Sequence, residues 1–478
     1  HYALAHPDAR VLVVATELLS VFHQLTAAAL ATAWLTVSLG CVVAGRRLRR
    51  LPAAEAHQAP APAGRTGEGD PVALIAAAGL IPALVLVTAL VAPPNTVDAM
   101  VYHMPRVVYW ADNRSVALFP AVVSYQLFFQ PFAEFVMLHL YVLYGGDRLV
   151  NLVQWLAYLG SAIGAGLLVK ALGGSRLGQA IAIVACLSIP QGILQASGAK
   201  NDCVLALWLV LLAYAVLRWK EEPGWQNSLY CGAALGLCLL TKGTAYAFAP
   251  PLALAGWWLL SRPRGWRLAP RLAAAALVAL ALNTPYYVRN WRLSGSPLGF
   301  STSDEQGTFQ FRNGRISLVN TVSNLFRNTA LHLGTPSMVL NEKTERAVTA
   351  SIRALGGDPD DIATTWPGTR FRVPRESRHE VFAGNPVHLG LIGLAFLLAT
   401  LRWRAAGRDT LIYALALAVA GVLFCAVFRW QPWHTRLHLP LFVLGSVLIG
   451  RVLPSCIWPS AATAAGILLV ALGLPYAL

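Results

Sequence analysis

Charge is scarce in this chain. Only 12% of its 478 residues are Asp, Glu, Lys or Arg, and the acids number 22 against 37 bases, too few to build the polar skin of a water-soluble globule. No apolar run alternates with polar residues in the ten-residue pattern of a membrane β-barrel, so that fold is excluded as well. The seven cysteines are odd in number, lie mainly in apolar runs (Cys41, Cys186, Cys231, Cys238, Cys425) and form no Cys-x-x-Cys pair; neither a disulfide framework nor a zinc site is indicated. An internal repeat of the kind many transporters carry is also absent.

Apolar length takes the place of charge. With 56% hydrophobic residues, the chain reads as an all-α polytopic membrane protein, because only helices can then satisfy the backbone in lipid. The expected spans lie near 17–44, 71–92, 148–169, 177–196, 203–219, 228–242, 246–261, 268–284, 387–401, 410–428, 439–453 and 457–476, about twelve transmembrane helices. Short loops rich in Lys and Arg (Arg46 to Arg50, Lys170 with Arg176, Arg218 with Lys220, Arg262 to Arg267, Arg402 to Arg408) are expected inside the cell. That places Asp98 outside. Residues 131–145 are apolar but reach only about 22 Å as a helix, against about 30 Å of hydrocarbon, and are expected to lie along the interface with Glu134 facing polar groups. Lys220 and Arg262 both belong inside, so the chain must turn between them, at Thr241-Lys242-Gly243-Thr244, with Lys242 at the outer face.

Four regions follow: an N-terminal anchor span with a cytoplasmic linker (1–70, flexible and Ala/Pro/Gly-rich over 51–69), a transmembrane core (71–284) with a first outer loop at 93–147, a polar outer loop domain (285–386) and C-terminal transmembrane helices (387–478). The long loop exceeds any mere connection. The chain opens at His1 rather than Met, as a processed or truncated start would, and the first span is expected to remain as an anchor. The net charge of +15 resides mostly in cytoplasmic turns and the outer loop, so it reads as topology and attraction to anionic membrane lipids, with no nucleic acid implied.

The candidate chemistry sits at one membrane face. Asp98 stands just beyond a carboxylate-free span and is followed by Tyr102-His103-x-Pro105-Arg106; Asp202, Lys242 and Arg289 also stand where spans meet the outer surface. Together they could form one site, a carboxylate taking a proton from an acceptor and cations holding a phosphate; the alternative is a set of ordinary capping and snorkelling residues. On a regular helix residues 98, 102 and 106 share a face, which would put Tyr102 and Arg106 beside Asp98, whereas a lone His such as His103 beside an aromatic is more often a structural hydrogen-bonder than an acid or ligand. His379-Glu380 could cover the acceptor side or cap a helix, and Arg436 with His438 ends another span beside Trp433. The residues identify no cofactor; a divalent cation bridging Asp98 and Asp202 is chemically admissible, though no ligand spacing demands it.

The order of pieces resembles a known family. Gln130-Pro131-Phe132, Gly145-Gly146-Asp147, Leu172-Gly173-Gly174-Ser175-Arg176, Lys200-Asn201-Asp202, the Gly-Leu-x-x-Leu-Thr-Lys-Gly run from Gly236 to Gly243, and Pro-x-x-x-Arg-Asn-Trp-x-x-x-Gly-x-Pro from Pro285 to Pro297 are similar to membrane glycosyltransferases of the GT-C fold. The layout is near that of protein O-mannosyltransferases and the aminoarabinose transferase of lipid A. The resemblance covers about 90–300 and implies transfer of a sugar from a polyprenyl-phosphate donor to a lipid, glycan or protein acceptor, outside the bacterial inner membrane. It implies Asp98 as the essential carboxylate and general base, with Asp202 as the second-loop acid. Tyr102, His103, Arg106, Lys242, Arg289, His379, Glu380 and Arg436 are the candidate substrate-binding residues. Departures are Ala99 where an Asp-Glu pair is usual, Gln-Pro-Phe where His/Lys-Pro-Pro is usual, and one additional N-terminal span. They point to a branch with its own donor or acceptor. The competing class is a transporter or flippase of lipid-linked glycans, which should carry ionisable groups near mid-membrane and internal repeats.

Overall fold

The computed structural model describes residues 5–49, 70–299 and 311–478; the linker 51–69 and residues 300–310 of the long loop lie outside the described residues. Among the described residues the regular structure is helical, with two isolated β-bridges, Arg312 to Phe428 and Thr365 to Trp430. Among the described residues six helices are long and apolar enough to cross a membrane: Pro71–Val91, Leu152–Ala171, Asp202–Glu221, Arg408–Val427, Leu439–Cys456 and Pro459–Tyr476. Shorter apolar helices accompany them, among them Arg176–Leu187, Ala245–Leu260 and Pro386–Leu401. The chain is an integral membrane protein of all-helical, polytopic build.

Most expected spans fall on one helix each, and the exceptions have local causes. The span expected at 17–44 is two helices, Ala5–Val21 and Ala27–Arg49. Between them His23 takes a left-handed φ of 54° and the Thr26 side chain caps the Ala29 amide at 3.3 Å, so a polar turn interrupts the apolar run. The span expected at 177–196 stops at Leu187 and restarts at Pro190, whose missing N–H cannot continue the ladder. At 268–284 the helix runs on through Pro285 to Ser294 and ends at Gly295 with φ 69°. The loop domain therefore begins later than the sequence indicates, and Arg289 sits on a helix.

Packing sets the centre of the bundle. Asp202–Glu221 and Leu439–Cys456 are each 78% enclosed over their apolar window, against 33% for Pro71–Val91 and 22% for Pro459–Tyr476, which makes the first two central and the last two peripheral. Backbones touch where small residues meet. A Cβ on Gly178 would lie 2.5 Å from the Gly450 carbonyl oxygen, one on Gly450 would lie 2.4 Å from that of Gly178, and one on Gly232 would lie 2.3 Å from that of Ala275. Helices in lipid gain no hydrophobic driving force from one another, so such close approach carries much of their association.

The loop domain is built from helices Leu318–Ala330 and Met338–Ala354 followed by irregular chain. A small cluster of Ala330, Leu331, Phe371 and Val373 closes on Trp430, and the Asn313 and Asn324 amides donate to the carbonyls at the end of Arg408–Val427, including that of Cys425 at 3.1 and 2.8 Å. This fixes the domain to the same bundle end as the 92–131 loop. Gly178→Leu or Gly450→Val is expected to destabilise the detergent-solubilised protein by about 1–3 kcal/mol or more through overpacking. Gly79→Ala, where an added Cβ meets nothing within 4 Å, is expected to leave the thermal unfolding temperature unchanged.

Candidate functional site

The first loop is shaped by a proline. Pro105 has no N–H to donate to Val101, and the turn Ala99–His103 widens into a π-helix before Met104–Asn113 resumes the α-helix. The carbonyl oxygen of Val101 is taken instead by the Gln126 side-chain amide at 2.7 Å. Asp98 stands at the mouth of this turn and accepts a hydrogen bond from the Tyr102 hydroxyl at 3.1 Å. Its other partner comes from far along the chain: Arg436, on the short helix His434–Leu437, forms an ion pair with its carboxylate.

Two further ion pairs stand close by. Lys242, in extended chain just after Trp225–Thr241, donates to Asp202 at 2.5 Å, and the Asn201 amide ties down the same turn through the Thr241 carbonyl at 3.2 Å. Lys200 meets Glu380 at 3.1 Å, and His379 lies 2.9 Å from the other oxygen of Glu380. The pairs feel one another. Burial alone would raise the Asp98 pKa, but Arg436, then Lys200, His103 and Lys242, outweigh it and hold the carboxyl well below the usual carboxylate range. Burial and Arg436 push Lys200 down, with Asp98, Glu380 and Asp202 resisting.

The pairs border two adjoining chambers. One, of 360 Å³, is lined by Lys242, Asn201, Gln130 and Gln431; the other, of 320 Å³, is lined by Asp98, Glu380, Tyr125 and Trp366. Tyr102, Phe129, Phe311, Trp433 and Arg436 line both. A carboxylate in one chamber and an ammonium in the other thus share a single guanidinium between them.

Not every candidate joins this cluster. Asp202 is 2% exposed behind Lys242 and lines neither chamber. His379 is open to solvent and reaches the site through Glu380. His103 and Arg106 turn away to Glu134, at 2.9 and 3.3 Å, and Arg106 also donates to the Phe129 carbonyl oxygen at 2.5 Å. The face shared by 98, 102 and 106 on a regular helix is lost after Tyr102, because the π-turn takes up an extra residue. Arg289 is held by both oxygens of Glu17, at 2.6 and 2.8 Å, against a cleft of only 10 Å³ that it shares with Arg106. It does not complete the expected ring with Asp98, Asp202 and Lys242. Lys200 was the missed member; its place beside Asp202 in the sequence was the available signal, and its partner Glu380 lies too far along the chain to be foreseen. Among the described residues no three His, Cys, Asp or Glu side chains converge as a metal-binding group, and a cation bridging Asp98 and Asp202 would have to displace both Arg436 and Lys242.

Comparison with known proteins agrees with this architecture. A family described as dolichyl-phosphate-mannose-protein mannosyltransferase matches residues 171–288, and no curated protein matches. Among solved structures, ArnT from Cupriavidus metallidurans in the apo state is 17% identical with a TM-score of 0.50, covering 79% of this chain and 58% of that one. The same protein bound to undecaprenyl phosphate is 16% identical with a TM-score of 0.52, covering 84% of this chain and 63% of that one. This chain therefore spans about 58% to 63% of the structures it matches. It shares their fold, the GT-C arrangement that the motif order resembles.

Glu134→Gln is expected to lower stability by roughly 3–5 kcal/mol, because it leaves Arg106 buried without its counter-ion. Glu17→Gln, at a pair whose side chains are 18% and 19% exposed, is expected to cost clearly less. Thermal unfolding of both variants in one detergent checks the order.

Proposed function

We propose that this chain is a membrane glycosyltransferase that moves a sugar from a polyprenyl-phosphate donor to an acceptor, at the membrane face opposite the arginine-rich turns. In a bacterial inner membrane that is the outer face. The observation that carries the reading is the pair of chambers joined through Arg436: Lys242 stands in one, where a phosphate would be held, and Asp98 in the other, where an acceptor would be deprotonated. A lipid phosphate donor is supported by the dolichyl-phosphate family description and by the undecaprenyl phosphate bound to ArnT. A carrier of lipid-linked glycans is the less favoured reading, since the ion pairs bordering the chambers gather at one end of the bundle.

The step balances within the site. The acceptor oxygen attacks the anomeric carbon while its proton passes to Asp98. The bond from that carbon to the phosphate oxygen breaks, and its electron pair leaves on the phosphate, where Lys242 and Arg436 offset the growing charge. A single displacement of this kind inverts the anomeric configuration. Asp202 acts by holding Lys242 in place.

At rest Asp98 is a poor base, because Arg436 and the lysines hold its pKa down. A donor phosphate in the Lys242 chamber competes for the Arg436 guanidinium. As Arg436 turns to the phosphate, Asp98 loses its nearest counter-ion and its burial raises its proton affinity. The base is thereby readied by the donor.

Purified protein given undecaprenyl-phosphate-linked sugars and candidate acceptors tests the reading. Asp98→Asn is expected to slow transfer by roughly 10²–10⁴-fold, the usual contribution of a general base, with undecaprenyl phosphate binding retained. Lys242→Ala is expected to weaken that binding. Full turnover by Asp98→Asn would remove the proposed base.

A further inference from the structure

The Asp98 chamber has walls of an unusual kind for an ion-pair site. Tyr125 and Phe129 of the first loop stack with ring centroids 5.4 Å apart and planes 18° apart. Phe311 and Trp366 of the loop domain stand 5.2 Å apart, and Trp366 meets Trp433 edge-on at 5.8 Å. These rings are only half-buried. They come from four separate chain segments, and with Tyr102 they surround two carboxylates, Asp98 and Glu380.

Aromatic faces beside carboxylates suit one class of ligand. A pyranose ring has apolar C–H faces that pack on aromatic rings and hydroxyl edges that donate to carboxylate oxygens. A lipid tail would press hydrocarbon against the two ion-paired carboxylates and supply no donor to their remaining lone pairs, at a cost. A polypeptide added as a β-strand is recognised through main-chain partners in register, and among the described residues no sheet edge lines this chamber. A phosphate here would lie against two carboxylates with Arg436 as the one cation among the described lining residues, whereas the other chamber offers Lys242 besides Arg436 and no carboxylate. The open volume of 320 Å³ lies at the small end of ligand pockets and admits about one or two sugar rings.

We infer that the acceptor is a saccharide, bound in the Asp98 chamber between the aromatic wall and the two carboxylates, and that a sugar hydroxyl is the group deprotonated. Calling the ligand an acceptor rests on the transferase reading; the saccharide site itself does not. Trp366 and Trp433 are its specificity-determining residues. They favour a glycan or glycolipid over the polypeptide that a protein mannosyltransferase uses.

The test is saturation-transfer NMR on the full chain in a sugar-free detergent or nanodisc, with maltose, lactose and diacetylchitobiose as saccharide probes, a Ser/Thr-rich peptide as the competing class and undecaprenyl phosphate binding measured on the same sample. At least one disaccharide is expected to show transfer centred on its ring C–H protons. Trp366→Ala and Trp433→Ala are expected to weaken it roughly tenfold, whereas Trp366→Phe and Trp433→Phe keep it within about twofold. Thermal unfolding confirms that each variant is folded. The inference is overturned if no disaccharide binds, if binding survives both alanine variants, or if the peptide binds with the tryptophan dependence instead. Lipid phosphate binding that persists in those cases leaves the transferase reading standing. Saccharide binding without any lipid phosphate binding removes the transferase reading and keeps the saccharide site.

Discussion

Arg436 and Asp98 are 338 residues apart in the chain, and their ion pair ties the first loop to the last turn before the central helix Leu439–Cys456. A charge buried at a membrane boundary persists only with a partner and a full set of hydrogen bonds. That requirement organises the whole bundle end. Asp98, Asp202 and Glu380 are matched by Arg436, Lys242 and Lys200, so the resting cluster is neutral although each member would be costly alone. The loop domain and the adjoining loops clamp Arg436 in turn. His434 meets Asn328 at 2.9 Å, His438 meets His332 at 3.0 Å, and Thr435 donates to the Val381 carbonyl oxygen at 2.9 Å.

The same requirement explains the irregular first loop. A regular helix from Asp98 onward would turn Arg106 toward Asp98 and leave Glu134 with less charge against it. The π-turn permitted by Pro105 sends Tyr102 to the chambers and His103 with Arg106 to Glu134. One missing N–H thus sorts neighbouring polar residues between a chamber-facing set and a buried structural set. Gln126 keeps the exchange from leaving an orphaned carbonyl.

What could be read from the sequence followed the range of the physics involved. Apolar length and loop charge are local, and the helices and the gathering of Asp98, Asp202 and Lys242 at one end were legible from them. Arg289 was misread because Glu17, its partner, lies 272 residues away in a helix that had been merged into a single span. Arg106 was misread because a helical wheel assumes the α period throughout. The aromatic wall was invisible, since Tyr125, Phe311, Trp366 and Trp433 share no segment and converge only when the loop domain docks. Trp433 alone in the sequence is indistinguishable from an interfacial belt residue.

Neutrality of the resting cluster bears directly on the proposed chemistry. A sugar linked through a lipid phosphodiester brings one negative charge into a site where solvent cannot readily reorganise. When the acceptor proton moves to Asp98 and the phosphate leaves with an additional negative charge, the total within the two chambers is unchanged. Charge is only passed from the Asp98 chamber to the Lys242 chamber, across the guanidinium they share. In a low-dielectric site such a transfer between fixed, oppositely charged partners is far less costly than creating new net charge. A proton acceptor outside the cluster would forfeit that balance, which is the physical argument for assigning the proposed base to a carboxylate as deeply tied into the ion pairs as Asp98.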